Sequence, residues 1–558
     1  ESYLTSGCDI VLNHKCWDGS VNGLWDNANN WSPAGIPVAT DDIIYPNNPA
    51  NEYAGKTVNT HSTVQNLRVN HFAEMSIPQS NGLTVTGNID LMGGSRNIIC
   101  ETGTGIGTVS SAFIPNTINY SAYSIEDGHI EVHRTLYFAS TASDYYMHQV
   151  AAPVSGAILD DWDMQVLSTY AFEWRTATQE WYNIYAPSRL TPSGYGFVIS
   201  LGGQTASTRD LMWVDNLVLS NMTYNFDAIL VDSSALIGNP YTSPISWDIM
   251  YGNQTNLKPR SRVWNPATNS YVNYVQGTGG NSSARYIQPG QSFFIEASGG
   301  SVSSFQFNPT DRVENILPYM KEDEYPNLLR VFTEGGGDSG CEAYIRFKEG
   351  DDVTNDYDVN HDGTFKDSEY SNFSTDLFTM SSDQRRLSVD ARPMLVGDDV
   401  SVPLHFKPIE DDTYKIVADE ASMNTFPQSI SIMLEDTFEP QQDWTDLRAE
   451  GYYEFDADKY DPKDRFIIHF YDLEFGIEDG VVEPIRIFSD RTDAFIINDS
   501  EQLIKEIHVY DITGNLITSK STVNNASTRI FVSDEVGYYI VKVITNKAVY
   551  SEKILITK

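Results

Sequence analysis

The last seventy or so residues constrain the fold most tightly, because turns interrupt their short apolar-rich runs before a helical period can start. From Leu503 the chain alternates through Ile504, Ile507 and Val509, then meets the turn Asp511-Ile512-Thr513-Gly514-Asn515 and restarts at Leu516-Ile517. A second turn at Glu535-Val536-Gly537 leads into Tyr538-Tyr539-Ile540-Val541-Lys542-Val543, and Thr545-Asn546-Lys547 precedes a closing run Ile554-Leu555-Ile556. Short alternating runs bounded by Gly, Asn and Asp are strands joined by tight turns, and several in a row predict a small β-sandwich.

The same residues carry a resemblance. Val509, Tyr510, Asp511 and Gly514 form a Val-Tyr-Asp-x-x-Gly turn, Gly537 and Tyr539 a Gly-x-Tyr strand start, and Lys553 with Ile554 a terminal Lys-hydrophobic strand. In that order at the C-terminal end they resemble the type A C-terminal sorting domain of type IX secretion substrates of Bacteroidota. Tyr538 departs from the Leu or Ile usual after the glycine. The resemblance implies export across the periplasm and outer membrane to the cell surface or the medium. It also implies two partners, the type IX translocon and the outer-membrane barrel shuttle that carries sorting domains. Contact would run through terminal strands and loops, by edge pairing or loop insertion. Type A domains are usually removed after export, so a chain still ending at Lys558 suggests a protein caught before that step.

Upstream, 558 residues suffice for about three to five domains. A composition of 41% hydrophobic and 12% aromatic residues is globular, and its Tyr, Thr, Asn and Gly content favours strands and turns. The reading is therefore all-β: several sandwich-like modules in tandem, with a short β-solenoid as one option for the N-terminus. Boundaries fall at 1–122, 123–314, 315–482 and 483–558, with Pro-, Gly- and acid-rich stretches near Asn315–Pro326 and Gly476–Pro484 as linkers. The entry Trp17-Asp18-Gly19, Leu24-Trp25, Asn30-Trp31 resembles the start of repetitive bacterial surface regions that lead into a parallel β-helix. The strand-like runs that follow, Val64–Val69, Met75–Ile77, Leu83–Ile89 and Asn97–Ile99, suit solenoid rungs and an antiparallel sandwich about equally. The segments from Gly194-Tyr195-Gly196-Phe197 to Pro289-Gly290-Gln291 resemble the uncharacterised β-rich region that often precedes such sorting domains, and so do those around Tyr344–Phe347 and Arg465–Phe470.

A net charge of −40 argues against nucleic acid and anionic lipid as partners. No apolar run reaches the roughly 18–20 residues of a membrane-spanning helix. Cys8 and Cys16 are spaced to close a small loop in an oxidising compartment, whereas Cys100 and Cys341 read as buried small hydrophobes. The chain starts at Glu1 with no signal segment, so the expectation is a processed chain or part of a longer one.

The sharpest chemical motif is Asp358 to Glu369. Asp358, Asn360 and Asp362 place oxygens on alternate residues, Gly363 supplies the turn, Thr364 offers a carbonyl and Glu369 closes the set. This is the spacing of an EF-hand calcium loop. The alternative is a solvated acidic turn, with Asp351, Asp352 and Asp356 adding charge beside it. No catalytic set is legible: the chain lacks H-E-x-x-H, G-x-S-x-G and P-loop patterns, and Gly337-Asp338-Ser339-Gly340 reads as a hairpin loop. Trp174, Trp181, Tyr182 and Trp264 are candidates for a sugar-stacking platform, or else core aromatics. The expectation is a non-catalytic stalk or adhesin region. The rival is the accessory part of a secreted polysaccharide-degrading or other hydrolase, or a carbohydrate-binding module.

Overall fold

The structure is a computed structural model. It describes residues 14–556 except 47–55, 71–72, 92–95, 103–111, 121–128, 138–145, 160–168, 187, 202–207, 215, 267, 315–324, 337–339, 369–373, 396–399, 439–443, 473–484, 491, 499–501 and 524–526. Cys8, Glu369, Gly337, Asp338, Ser339 and the stretch 476–484 therefore lie outside the described residues.

The chain is all-β, and its N-terminal part is a parallel solenoid. His14–Trp17, Asp42–Tyr45, Asn66–Val69, the end of Gly82–Leu91 and Ala112–Tyr120 stack side by side in parallel. His61–Val64 joins the start of Gly82–Leu91 in the same sense, and Met75–Ile77, Arg96–Thr102 and His129–Tyr137 form another parallel face. Residues at one register therefore pile into ladders. Ile43, Leu67 and Ile89 stack inside and are all buried, as are Ile77, Cys100 and Val132. Cys100 thus fills a rung of the core. At an outer register the Asn66 amide donates to Asp42 at 2.6 Å, His14 meets Asp42 at 3.2 Å, and Asn66 accepts from Asn88 N. Such ladders repeat one interaction per coil, which is how a solenoid buries a core with only neighbour contacts.

Trp17, Trp25, Trp31 and Tyr45 close one end, with Trp17 and Trp25 edge-on to Trp31 at 5.0 and 4.7 Å. Cys16 is disulfide-bonded, and Cys100 and Cys341 are free and buried. The parallel coils continue past residue 122 to His129–Tyr137, and Thr208–Val214 then caps that face in antiparallel pairing.

The middle of the chain holds two main antiparallel sheets. One orders Tyr146–Val150, Phe197–Leu201, Thr169–Arg175 and Glu180–Ile184; the other orders Ser234–Gly238, Ser292–Glu296, Arg260–Asn265, Ser270–Val275 and Gly279–Gly280. Beyond it, Leu328–Gly335 to Phe466–Asp472 build one large sheet around a single core of Leu329, Ile345, Leu404, Ile432 and Ile468. This sheet curls until its end strands, Trp444–Asp446 and Tyr452–Ala457, are joined by the one-turn helix Leu447–Glu450. Asp436 fastens the seam: Arg465 donates to both its oxygens, and the Tyr453 hydroxyl donates to it at 3.0 Å. This region is nearly closed into a barrel instead of forming the expected sandwich, because closure leaves fewer open strand edges.

The C-terminal unit is the expected small two-sheet sandwich. Ile485–Asp490, Asp493–Asn498 and Ser527–Phe531 face Leu516–Val523, Ile504–Asp511, Gly537–Thr545 and Val549–Ile556 across a core of Ile496, Ile507, Val509, Val541 and Ile554.

Candidate functional site

Two places gather the residues singled out above: the C-terminal sandwich and the joint between the middle sheets and the near-barrel. In the sandwich, most motif residues build the fold. Val509 and Val541 face each other on neighbouring strands and are fully buried, and Ile554 is buried beside them. Asp511 organises its turn. Its Oδ1 accepts from Thr513 N, Thr513 Oγ1 and Asn515 N, and its Oδ2 from the Asn515 side-chain amide. Those donors favour the charged form and hold the carboxyl down to about 2. Gly514 closes the turn at φ +88°, in the left-handed region that a side chain would strain. Tyr539 donates its hydroxyl back to Glu535 O at 3.1 Å, pinning the strand to the turn before it. Tyr510 and Lys553 instead point outward, with Lys553 Nζ 4.1 Å above the Tyr538 ring. For Gly537 the structure offers no physical reason, since a Cβ there would sit in ordinary contact.

The joint is built from alternate residues of strand Arg260–Asn265 and its neighbours. Arg260 and Arg262 share one face, and Lys258 joins them around the buried carboxylate of Glu296. Burial alone would push Glu296 up, but the three cations outweigh it and hold the group well below the usual carboxylate range. The arginines then reach across to the Asp358 loop: Arg260 donates to Asp362 O at 3.0 Å and to the Tyr357 hydroxyl at 3.2 Å, and Arg262 donates to Thr364 O at 2.9 Å. Asn273 to Ser388, Asn281 to Glu342, and Arg346 to Gly277 O and Thr278 O extend the seam, and Val275, Leu328, Tyr344 and Val389 seal it with apolar surface.

That geometry fixes the acidic loop from Asp358 onward. Asp362 is buried, and its two oxygens accept from Asp358 N at 2.7 Å and Ala391 N at 2.8 Å. Burial, helped by nearby Asp390, pushes its carboxyl up to about 8, against those two amide bonds. Gly363 lies in a short strand paired with Arg386–Pro393, and a Cβ would press on Val389 and Val275 at 3.1 and 3.2 Å. Close approach, not a left-handed turn, is what favours glycine here. The structure thus brings Asp358 and Asp362 together, while the Thr364 carbonyl and both Asp362 oxygens already accept from protein donors. Among the described residues, no group of three or more His, Cys, Asp or Glu is placed to hold a metal.

Beside this loop a cavity of about 390 Å³ opens between the two regions, lined by Trp174, Asp232, Arg262, Glu296, Lys366 and Asp367 among others. Its charges are mutually engaged: Asp232 with Lys258 at 2.6 Å, Asp367 with Arg386 at 2.7 Å, and Lys366 over the rings of Trp174, Tyr271 and Phe294. The four candidate stacking aromatics do not make one open platform. Trp264 is buried and donates to Met147 O, while Trp174 and Trp181 pack edge-on against Phe294. Tyr182 is half-buried under the Arg175 guanidinium, 3.7 Å from its ring centre.

Two features had no counterpart in the sequence reading. Across adjacent strands, His469 Nδ1 lies 2.9 Å from Ser401 Oγ and Nε2 2.8 Å from Glu435. A hydrolase triad uses the opposite ring nitrogens. Here the imidazole lies flat against Trp444 at 4.0 Å. Trp444 in turn packs on Phe495 of the C-terminal sandwich, Arg529 reaches Glu435 at 3.6 Å, and Met433, Tyr471 and Ile497 are buried together. The sandwich is therefore docked on the outer face of the near-barrel.

The comparisons with known proteins follow these seams. Residues 16–470 match a family described as "Domain of unknown function (DUF8693)". The chain belongs to this family. The family match runs without a break over the solenoid, the middle sheets and the near-barrel, in keeping with the dense joint at Arg260 and Arg262. Residues 491–557 match the "Secretion system C-terminal sorting domain". The chain is thus a type IX secretion substrate whose sorting domain directs it to the cell surface or the medium through the type IX machinery. Strand Ile485–Asp490 precedes that match yet belongs to the same sandwich. No helix among the described residues is long and apolar enough to cross a membrane.

No curated protein matches the chain. Among solved structures, HBP35 of Porphyromonas gingivalis is 13% identical over 27% of this chain and 60% of its own, with a TM-score of 0.10. A biofilm associated protein (BSP domain) is 10% identical over 79% of this chain and 64% of its own, with a TM-score of 0.13. The chain thus spans less than two thirds of either.

Proposed function

We propose that the DUF8693 part of the chain is a non-catalytic stalk or adhesive scaffold at the cell surface, delivered there by the sorting domain through the type IX translocon and its outer-membrane barrel shuttle. The observation that supports this reading is the engagement of the polar groups at the joint. Glu296 is held by Arg260 and Arg262, Asp232 by Lys258 and Asp367 by Arg386, and the two Glu296-bound arginines also reach backbone carbonyls, which serves rigidity and leaves little to act on a substrate. A solenoid followed by a stiffly joined pair of sheets suits a spacer that carries contact surface away from the membrane. Calcium at the Asp358 loop fits this role as a clamp in which the Thr364 carbonyl, which keeps a second lone pair beside its bond from Arg262, serves as one ligand.

The test compares cells exporting the full chain with cells exporting only the sorting domain behind an inert carrier. Attachment to surfaces or to neighbouring cells is expected to fall when residues 16–470 are replaced. Release of reducing sugar from a polysaccharide panel by the purified full chain would overturn the non-catalytic reading.

A further inference from the structure

The outward face of the sorting domain's four-stranded sheet carries an apolar row. Tyr510 sits between Leu516 and Ile540, Ile540 lies opposite Lys553, and Tyr538 lies opposite Leu555. Strand alternation puts these side chains on the face away from Val509, Val541 and Ile554. Within the whole chain Leu516 is 55% exposed, Tyr538 51%, Leu555 42% and Ile540 38%. Adjacent exposed apolar residues of this kind on a soluble module mark a contact surface.

The charge around the row is equally distinctive. From 483 to 558 the chain has ten acidic and nine basic residues, so nearly all of the net −40 lies upstream. On the outward face, Lys553 sits over Tyr538, and Lys542 stands opposite His508. The nearby carboxylate of Glu506 is engaged by His508 at 3.0 Å. An apolar strip edged by lysines, on a molecule otherwise strongly acidic, complements a partner whose apolar strip is edged by carboxylates. A second copy of this chain is disfavoured, because it would bring two strongly acidic upstream regions together.

Resting on the sorting reading above, we infer that the face of Tyr510, Leu516, Tyr538, Ile540 and Leu555, with Lys542 and Lys553, is the surface by which a protein of the secretion machinery grips this chain. Val509, Asp511, Gly514 and Ile554 hold the fold that presents it.

The test uses the full chain in its own cells, followed by fractionation into periplasm, cell surface and medium. Three variants are compared: deletion of 491–558, the pair Ile540→Thr with Leu555→Thr, and the pair Lys542→Glu with Lys553→Glu. Both pairs are expected to cut the exported fraction by about tenfold or more, as loss of a binding hot spot would, while the purified chains melt as wild type. Wild-type export of both pairs alongside blocked export of the deletion overturns the face and leaves the sorting reading standing. Normal export of the deletion overturns the sorting reading itself. If the threonine pair melts lower, the charge-reversal pair decides alone. Self-association of the wild-type chain that the pairs abolish would make the occupant a second copy and also overturn the inference.

Discussion

Asp511 and Asn515 hold each other across the first turn of the sorting domain: Asp511 Oδ1 accepts the Asn515 backbone amide at 2.9 Å and Oδ2 its side-chain amide at 2.8 Å. With Thr513 adding two more donors, the charged carboxylate is stabilised and its titration is drawn down to about 2. A depressed folded value gives stability that is present above the ordinary carboxylate value of about 4 and is lost as pH falls through about 2. Carbon-detected NMR titration of the full chain should show Asp511 titrating near 2. Asn515→Ala and Thr513→Val should each move it back towards the ordinary value.

Glu296 is the counter-charge for three cations inside the joint. Glu296→Ala leaves Lys258, Arg260 and Arg262 together without it, and loss of one partner from a buried ion cluster costs about 3–5 kcal/mol. Denaturant unfolding should show that loss. Because Arg260 and Arg262 hold the Asp358 loop, hydrogen exchange at Asp358 and Thr364 should accelerate in the same variant. A neutral result would mean that the joint draws its strength from its other contacts, the apolar seal of Val275, Tyr344 and Val389 among them.

Asp362→Ala removes the acceptor of the half-buried Asp358 amide and orphans the buried Ala391 amide, and an unsatisfied buried donor costs about 1–3 kcal/mol. The pH dependence has the opposite sign to that of Asp511. A folded value raised to about 8 means that this group's contribution is full below about 4 and is lost as pH rises through 8. Between pH 5 and 9, wild-type melting temperature should therefore fall relative to Asp362→Asn. The same melts with and without millimolar calcium separate a structural turn from a cation site. A calcium-dependent rise lost in Asp358→Ala would place the ion in the loop.

Alternation and turn chemistry are local, which is why the C-terminal sandwich was legible down to Val509, Asp511 and Gly514. The rungs around Leu67, Ile77 and Ile89 were legible as strands. Their parallel stacking was legible only as one of two options, a solenoid or an antiparallel sandwich, because Leu67 meets Ile89 through coil geometry that no short window encodes. The EF-hand spacing of Asp358 to Glu369 was visible, but spacing does not tell which oxygens neighbouring strands already use. Arg262 takes the Thr364 carbonyl from a hundred residues away in sequence. Arg260 and Arg262 alternate within a buried strand, a pattern that marks buried arginines once a carboxylate such as Glu296 is known to face them. The docking of Trp444 and Phe495 left no sequence signal, since each reads as an ordinary strand aromatic.

The sorting assignment is tested most directly by export of the full chain against the chain lacking residues 491–558, expressed at equal levels in the native cells. We expect the full chain at the cell surface or in the medium and the shortened chain, folded as judged by protease resistance of residues 16–470, held in the periplasm. Equal amounts of both outside the cell would contradict the assignment.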